Sequence, residues 1–357
     1  MRKLASIQKV LDVQPIPGAE AIEVLTILGW KVVAKKGEFK VGDLVVYCEV
    51  DSILPAKPEF AFLEKVHYRI KTIKLRGQVS QGIAFPLHIL PIPPQIHPAI
   101  PNPSIISDCS LRLDYREGDD VTELLGVTKY EPYVPAQLAG LVKGNFPEFL
   151  HKTDETRIQA VPAVLYRHQN KKFYVTEKVD GSSMTVYFRR SPECWVGEFG
   201  VCSRNLDIKE EGGTSFWKVA RELDLENKLR SLERNICLQG ELIGQGIQGN
   251  KYKLSGLEFR VFNVFDIDKQ QHVGYNEFVR IVNQLGLKTV PLLDDAFVLP
   301  GTVDEMVEYS KGKSVLNKDS HREGVVLRPI VEEYDEDLRG RLSFKCINPD
   351  FLLKYNE

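Results

Sequence analysis

The chain has 357 residues, 43% of them hydrophobic and 27% charged, with a formal net charge of −2. That length predicts two domains, since a single core rarely grows past about 250–300 residues. The near-neutral charge excludes a global basic field, so nucleic-acid binding has to rest on local patches, and no apolar run approaches the ~20 residues of a membrane span.

The N-terminal MRKLASIQKVLDV is too polar and too periodic for a signal peptide. Six cysteines are scattered without a CxxC pair, which supports neither a zinc site nor a disulfide framework. An intracellular protein, cytoplasmic or nuclear, is the expectation, with no membrane partner and no need of a second copy. Over the first ~90 residues, β-branched runs at Ile22–Ile27, Trp30–Ala34 and Leu44–Val50 are broken by turn signals at Pro17-Gly18, Lys36-Gly37 and Gly42-Asp43. Short strands at that spacing predict a small β-barrel. PIPPQIHPAIPNPS, residues 91–104, marks a loop or linker. Structure returns over Leu111–Val127, and EPYVPAQLAG from Glu131 marks the boundary. The predicted domains are 1–133 and 134–357.

The second domain mixes types. Apolar residues at 217, 220, 223, 225 and 229 predict a helical face within Trp217–Arg234, and Asn276 is the expected cap of another helix that stops at a glycine. Strands are expected at Phe173–Thr176, Met184–Phe188, Phe259–Phe265, Gly324–Leu327 and Ser343–Ile347. Irregular alternation favours α+β over a doubly wound parallel sheet.

The chemistry lies in an ordered set: Lys178-Val179-Asp180-Gly181, Ser203-Arg204-Asn205, Gly240-Glu241-Leu242-Ile243-Gly244, Phe262-Asn263-Val264-Phe265-Asp266, Glu323-Gly324-Val325-Val326-Leu327-Arg328 and Phe344-Lys345-Cys346-Ile347-Asn348. A lone KxDG is weak; six motifs in this order are not. A lysine amine that attacks a nucleotide α-phosphate, expels pyrophosphate and holds the nucleotide as a phosphoramidate is a covalent catalyst. It must first lose a proton from a group with a reference pKa near 10.4, and nearby cations favour that loss. Arg157, Arg204 and Lys345 are candidates to line a triphosphate. Asp180, Glu241 and Glu323 can organise ribose hydroxyls and the water around a divalent metal. Cys202 and Cys346, beside two of the motifs, read as packing residues.

This set resembles the covalent nucleotidyltransferase superfamily of ATP-dependent ligases and capping enzymes, across roughly Asn145 to Tyr355. The resemblance implies that Lys178 carries AMP, with Asp180 in the catalytic motif and Glu177 contacting the base. It makes Arg204 a ribose and phosphate contact, and Glu241 a ribose or metal-shell carboxylate. Glu323 becomes a carboxylate near the lysine and metal, and Lys345 the α-phosphate contact. Phe265 is expected to stack on adenine, with Phe262 as the alternative. ATP and Mg2+ or Mn2+ are the implied cofactors.

Two departures narrow the branch. Ten residues follow Ile347, where DNA ligases and capping enzymes carry a further OB domain, and Ile347 stands where many relatives have a second lysine. FPEFLHKTDETRIQ, residues 146–159, is similar to the segment before the nucleophile in Naegleria-type RNA ligases, which seal 3′-OH/5′-phosphate nicks in duplex RNA. That likeness adds Arg157 to the ATP site, although Thr153-Asp154-Glu155 also reads as a helix cap. The implied architecture is an N-terminal OB-like β-barrel followed by a nucleotidyltransferase (ATP-grasp-like ligase) domain with antiparallel sheets and flanking helices. Arg69, Lys71, Lys74 and Arg76, interleaved with apolar residues, are expected to meet RNA phosphates, or else to guard an edge strand. The alternatives are a DNA ligase or capping-type enzyme, and a non-catalytic RNA-binding protein.

Overall fold

The computed structural model describes residues 3–90, 115–130, 140–191 and 194–355. The proline cluster at 91–104 and the boundary at 131–139 lie outside them. The chain divides into two compact units, Met1–Pro132 with Leu352–Glu357, and Tyr133–Phe351. Among the described residues no helix is long and apolar enough to cross a membrane.

The first unit carries a five-stranded antiparallel sheet in the order Trp30–Lys35, Ile22–Ile27, Ala5–Pro15, Leu44–Cys48, Ile83–Pro86. Ala5–Pro15, which the sequence reading did not mark as a strand, is central. Its first half pairs with Leu44–Cys48 and its second half with Ile22–Ile27, with a register shift between Val10 and Asp12. A bulge there bends the strand and raises its twist, which lets one strand serve two halves of a curling sheet. Trp30, Tyr47, Ile7, Leu25 and Phe60 fill the interior.

Two further sheets make up the second unit. The larger runs Val142–Asn145, Leu206–Ile208, Cys194–Cys202, Ser182–Ser191, Ile236–Gly244, Leu257–Asp266, Gln271–His272, with Lys288–Thr289 added in parallel to Leu257–Asp266. The smaller runs Thr156–Arg157, Phe344–Ile347, Gly324–Pro329, Lys172–Lys178, Leu292–Val298, antiparallel except for its first pair. All five strands expected in this half are present. The expected helix across 217–234 is two, Ser215–Glu222 and Leu225–Arg230, because Asp224 between them is left-handed at φ 51°. The helix Tyr275–Gln284 is capped by Gly274, which leaves Asn276 inside its first turn. Residues 153–155 cap no helix; they lead into the strand Thr156–Arg157.

Period-2 alternation sets the faces. On the larger sheet Ile236, Leu238 and Leu242 pack with Trp217, Leu225, Leu229, Phe278 and Ile281 of the helices, so Gln239, Glu241 and Ile243 point to the opposite face. On the smaller sheet Phe173, Val175, Val325, Leu327, Phe344 and Cys346 form a core with Ile158 and Met306. Thr176, Lys178, Val326, Lys345 and Ile347 therefore lie on its other face. Burial pushes the Cys346 thiol up to about 12, and Cys202 is likewise raised, so both are packing residues without thiolate character, as expected.

Candidate active site

Register assembles the site from distant motifs. Lys178, Gly324 and Ile347 occupy one row across the smaller sheet, and Thr176, Val326, Lys345 and Arg157 the next row on the same face. Ser183 faces Glu241 on the larger sheet. Two motif glycines are required by closeness. A Cβ on Gly181 would lie 2.4 Å from the Leu242 carbonyl oxygen, and one on Gly324 2.3 Å from that of Cys346. The turn after Lys178 is thus seated directly on the strand that carries Glu241.

The Lys178 ammonium donates to Glu323 Oε1 at 2.5 Å. Burial by itself pushes this ammonium down, but Glu323, Glu241 and Asp180 outweigh it and its pKa is raised. The sequence suggested cations around the lysine; in the ligand-free site carboxylates dominate its field and hold it protonated. Those carboxylates repel one another. Burial, with Glu323 and Asp180 adding to it, pushes Glu241 up to about 8 against the pull of Lys178. Asp180 is raised by burial and by Glu323, while Lys251 and Lys178 hold it down.

A corner with this excess of acid fits a cation. Glu323 Oε2 is buried without a hydrogen-bond partner among the described residues. Among those residues no group of three or more His, Cys, Asp or Glu forms a ready metal cage. The arrangement therefore suits a hydrated ion held through one or two carboxylates and a nucleotide phosphate, as Mg2+ prefers. Glu241 and Glu323 are the carboxylates that could hold it.

The candidate phosphate-binding cations lie together. Lys345 donates to Asp154 at 3.1 Å, and Arg204 reaches the same carboxylate at 3.4 Å. Arg157 pairs in register with Lys345. Burial pushes Lys345 down to about 8; Asp154 opposes this, and Lys178 and Arg157 add to it. Its charge in the ligand-free protein is therefore lost as pH rises through about 8. ATP affinity, measured by titration, is expected to weaken across that window, and Lys345→Arg, whose guanidinium stays charged, to remove the dependence. A wild-type affinity that stays flat through the window would count against a phosphate role for Lys345.

Glu177 is buried behind the nucleophile. Its amide donates to the Pro291 carbonyl and its Oε2 accepts from Val315 N–H, both at 2.8 Å. Burial raises its carboxyl against hydrogen bonds from Ser314 and Val315. Its Oε1 is buried with no partner among the described residues.

Two of the expected site residues are engaged in other contacts. Phe265 is fully buried, with the His151 ring stacked on it at 5.1 Å and His272 edge-on at 5.1 Å. Phe265 also packs in the cluster of Phe146, Leu150, Tyr187 and Cys237. Phe262, the residue skipped by the register shift in this strand, is only partly buried, and the Arg328 guanidinium lies 6.0 Å from its ring. In the first unit, Arg69 bonds Asp51 at 3.1 Å and lies 3.6 Å over the Tyr130 ring. Its guanidinium is thus engaged within the first unit. Lys74 and Arg76 are exposed on the hairpin Ile73–Leu75/Gln78–Ser80, and Lys71 is half-buried.

Sequence reasoning missed several neighbours. Lys251 ion-pairs with Asp180, and Tyr252 Oη accepts from the Asp180 amide at 2.7 Å. Glu155 accepts from Arg328 at 2.7 Å and from Ser343 at 3.3 Å. The Lys251-Tyr252 step has no motif around it; Arg328 closes one of the six motifs and could have been singled out.

The first unit is an OB-type half-barrel, and the second presents a lysine in an acidic corner beside a cluster of cations. Together they define a nucleotidyltransferase of the lysine-dependent class. An OB-fold domain model matches residues 4–87 and an RNA ligase model matches residues 171–347. The structure of Naegleria gruberi RNA ligase with pyrophosphate is similar at TM-score 0.82 and 38% identity, over 100% of this chain and 99% of that one. The same enzyme as a variant with AMP and manganese gives 0.81 and 38% over 98% of each chain. A glutamate-to-alanine variant with ATP and manganese gives 0.82 and 38% over 100% of each. No curated protein matches. The chain belongs to the RNA ligase family, and its activity is the ATP-dependent joining of RNA.

Proposed function

We propose that the chain seals 3′-OH and 5′-phosphate RNA ends, with a nicked duplex as substrate, through AMP carried on Lys178. The observation behind this is the buried corner in which Lys178 meets Glu323 with Glu241 and Asp180 around it. In the first step the Lys178 Nζ lone pair attacks the α-phosphorus of ATP. The bond to the β-phosphate oxygen breaks, pyrophosphate leaves, and the amine proton passes to solvent. A divalent ion, when bound, supplies positive charge to the phosphates and weakens the carboxylate hold on the lysine proton. Lys345, with Arg157 and Arg204, stabilises charge developing on the phosphate oxygens. Lys345 and Arg204 must exchange their present contacts with Asp154 for phosphate. Glu177 holds the base edge and Phe262 its face, while Glu241 takes the ribose.

In the second step an oxygen of the RNA 5′-phosphate attacks the lysyl phosphorus. The P–N bond breaks, Lys178 recovers its proton, and an AMP-capped RNA forms. In the third the 3′-OH attacks the capped 5′-phosphate and AMP departs. Residues 1–133 serve as the RNA-binding module and 134–357 as the adenylyltransferase. Lys74 and Arg76, with Lys71 beside them, meet backbone phosphates, which gives affinity without sequence reading. The protein acts as a monomer, and inside the cell; buried free thiols among the described residues favour the second of these.

The test is a set of nicked duplexes with RNA or DNA on each side of the nick, supplied with ATP or GTP and Mg2+ or Mn2+. Sealing is expected with ATP, and only where ribose carries the 3′-OH, as contacts to a 2′-OH near the nick require. Equal sealing of all-DNA nicks, or exclusive transfer of GMP, would defeat the reading.

A further inference from the structure

Lys251 belongs to none of the six motifs, yet it and its neighbour grip the residue that follows the nucleophile by two positions. The Lys251 ammonium pairs with the Asp180 carboxylate where both side chains are nearly buried, 12% and 11% exposed. Tyr252 is 4% exposed and packs with Val179, Ile243 and Val290, and its hydroxyl accepts from the Asp180 amide. Asp180 is therefore held at its side chain by one residue and at its backbone by the next.

The grip is itself anchored. The Lys251 carbonyl accepts from Asn317 Nδ2 at 2.9 Å and from Ser320 Oγ at 2.8 Å. Its ammonium lies 5.3 Å from the Phe351 ring centroid. Asn317 and Ser320 stand in the loop that runs into Glu323, the partner of Lys178. One loop thus fixes both the acid that meets the nucleophile and the base that meets Asp180. Burying an ion pair is often no better for stability than burying two apolar side chains of the same volume. Its place beside the reacting amine calls for another reason.

We propose that Lys251, with Tyr252, is a positioning residue: it pins Asp180 so that the turn after Lys178 aims the amine at phosphorus. This rests on Lys178 being the nucleophile. Lys251 and Lys178 attract the Asp180 carboxylate, while Glu323 and Glu241 repel it. Without Lys251, the cation left for Asp180 is Lys178 itself. Asp180 then draws the ammonium out of line, and a misplacement of about 1 Å can cost on the order of 10²-fold in rate.

The experiment separates the three steps. Lys251→Met is expected to slow both the formation of lysyl-AMP and its transfer to RNA by about 10- to 10²-fold at saturating ATP. It should leave the KM for ATP, and the sealing of pre-adenylated RNA, close to wild type, because Lys178 is not the nucleophile of the last step. Lys251→Arg, which keeps the charge, should recover most of the loss. Should Lys251→Met not fold, Tyr252→Phe keeps the packed ring, removes the hydroxyl and carries the same test in the same direction. Equal losses in all three steps, or lysine steps at the wild-type rate, would overturn the proposal and leave the ligase reading standing. Failure of the wild-type protein to form lysyl-AMP would overturn both.

Discussion

Lys178→Ala is expected to lower the yield of lysyl-AMP from labelled ATP by about 10⁴-fold or more, since loss of a covalent nucleophile leaves only the binding contribution to rate. Lys178→Arg should do no better. A guanidinium stays protonated at any working pH and has no free electron pair for phosphorus. Both variants should still seal RNA that already carries AMP, where the 3′-OH is the nucleophile. That split distinguishes loss of a nucleophile from loss of the fold. The resting ion pair with Glu323 adds a second readout. In the ligand-free site the carboxylates keep the lysine protonated, so adenylation without a divalent ion should be very slow in the wild type as well. A Lys178→Ala protein that labels like the wild type would end the assignment.

Glu155→Ala should destabilise the protein by about 3–5 kcal/mol, the usual cost of stripping one partner from a buried ion pair. Arg328 is 2% exposed and Glu155 17%; alanine at 155 leaves the buried guanidinium without its hydrogen-bonded carboxylate, with Glu332 as a remaining charge acting on it. The pH dependence follows the same pair. Burial alone would raise Glu155, but Arg328 and Lys345 bring it down to about 2, against about 4.3 for an unfolded glutamate. A depressed carboxylate contributes stability that is fully present above the unfolded value and disappears as pH falls through the folded one. Its contribution is about 3 kcal/mol, with the group counted as largely shielded from solvent. Denaturant unfolding should therefore lose that much between pH 5 and 2 in the wild type and much less in Glu155→Ala. A variant as stable as the wild type at neutral pH would refute the account. Arg328 also borders the Phe262 ring, so the variant should bind ATP more weakly.

Much of this site could be read from the chain alone, and the reason is local. Lys178, Glu241, Glu323 and Lys345 stand at or near the ends of strands whose β-branched and aromatic residues advertise them, and the glycines beside them are there because a Cβ would strike a backbone carbonyl. The strand Ala5–Pro15 escaped because its polar residues and its bulge spoil a clean alternation. The helix after Trp217 was drawn too long because nothing apolar or polar in the pattern reports that Asp224 is left-handed.

Residue identity and order by themselves determined the covalent lysine chemistry, the OB-type front and the RNA-joining branch, because nucleophile, acids and cations are chosen for their functional groups and their sequence around a strand or turn is short-range. Only the tertiary structure decided which partners those groups have. It pairs Lys178 with Glu323 across 145 positions, Arg328 with Glu155 across 173, and Lys251 with Asp180 across 71. It also buries Phe265 between two histidine rings and engages Arg69 with Asp51 and the Tyr130 ring. Burial, register and ion pairing are properties of packed sheets, and no local pattern in the chain carries them.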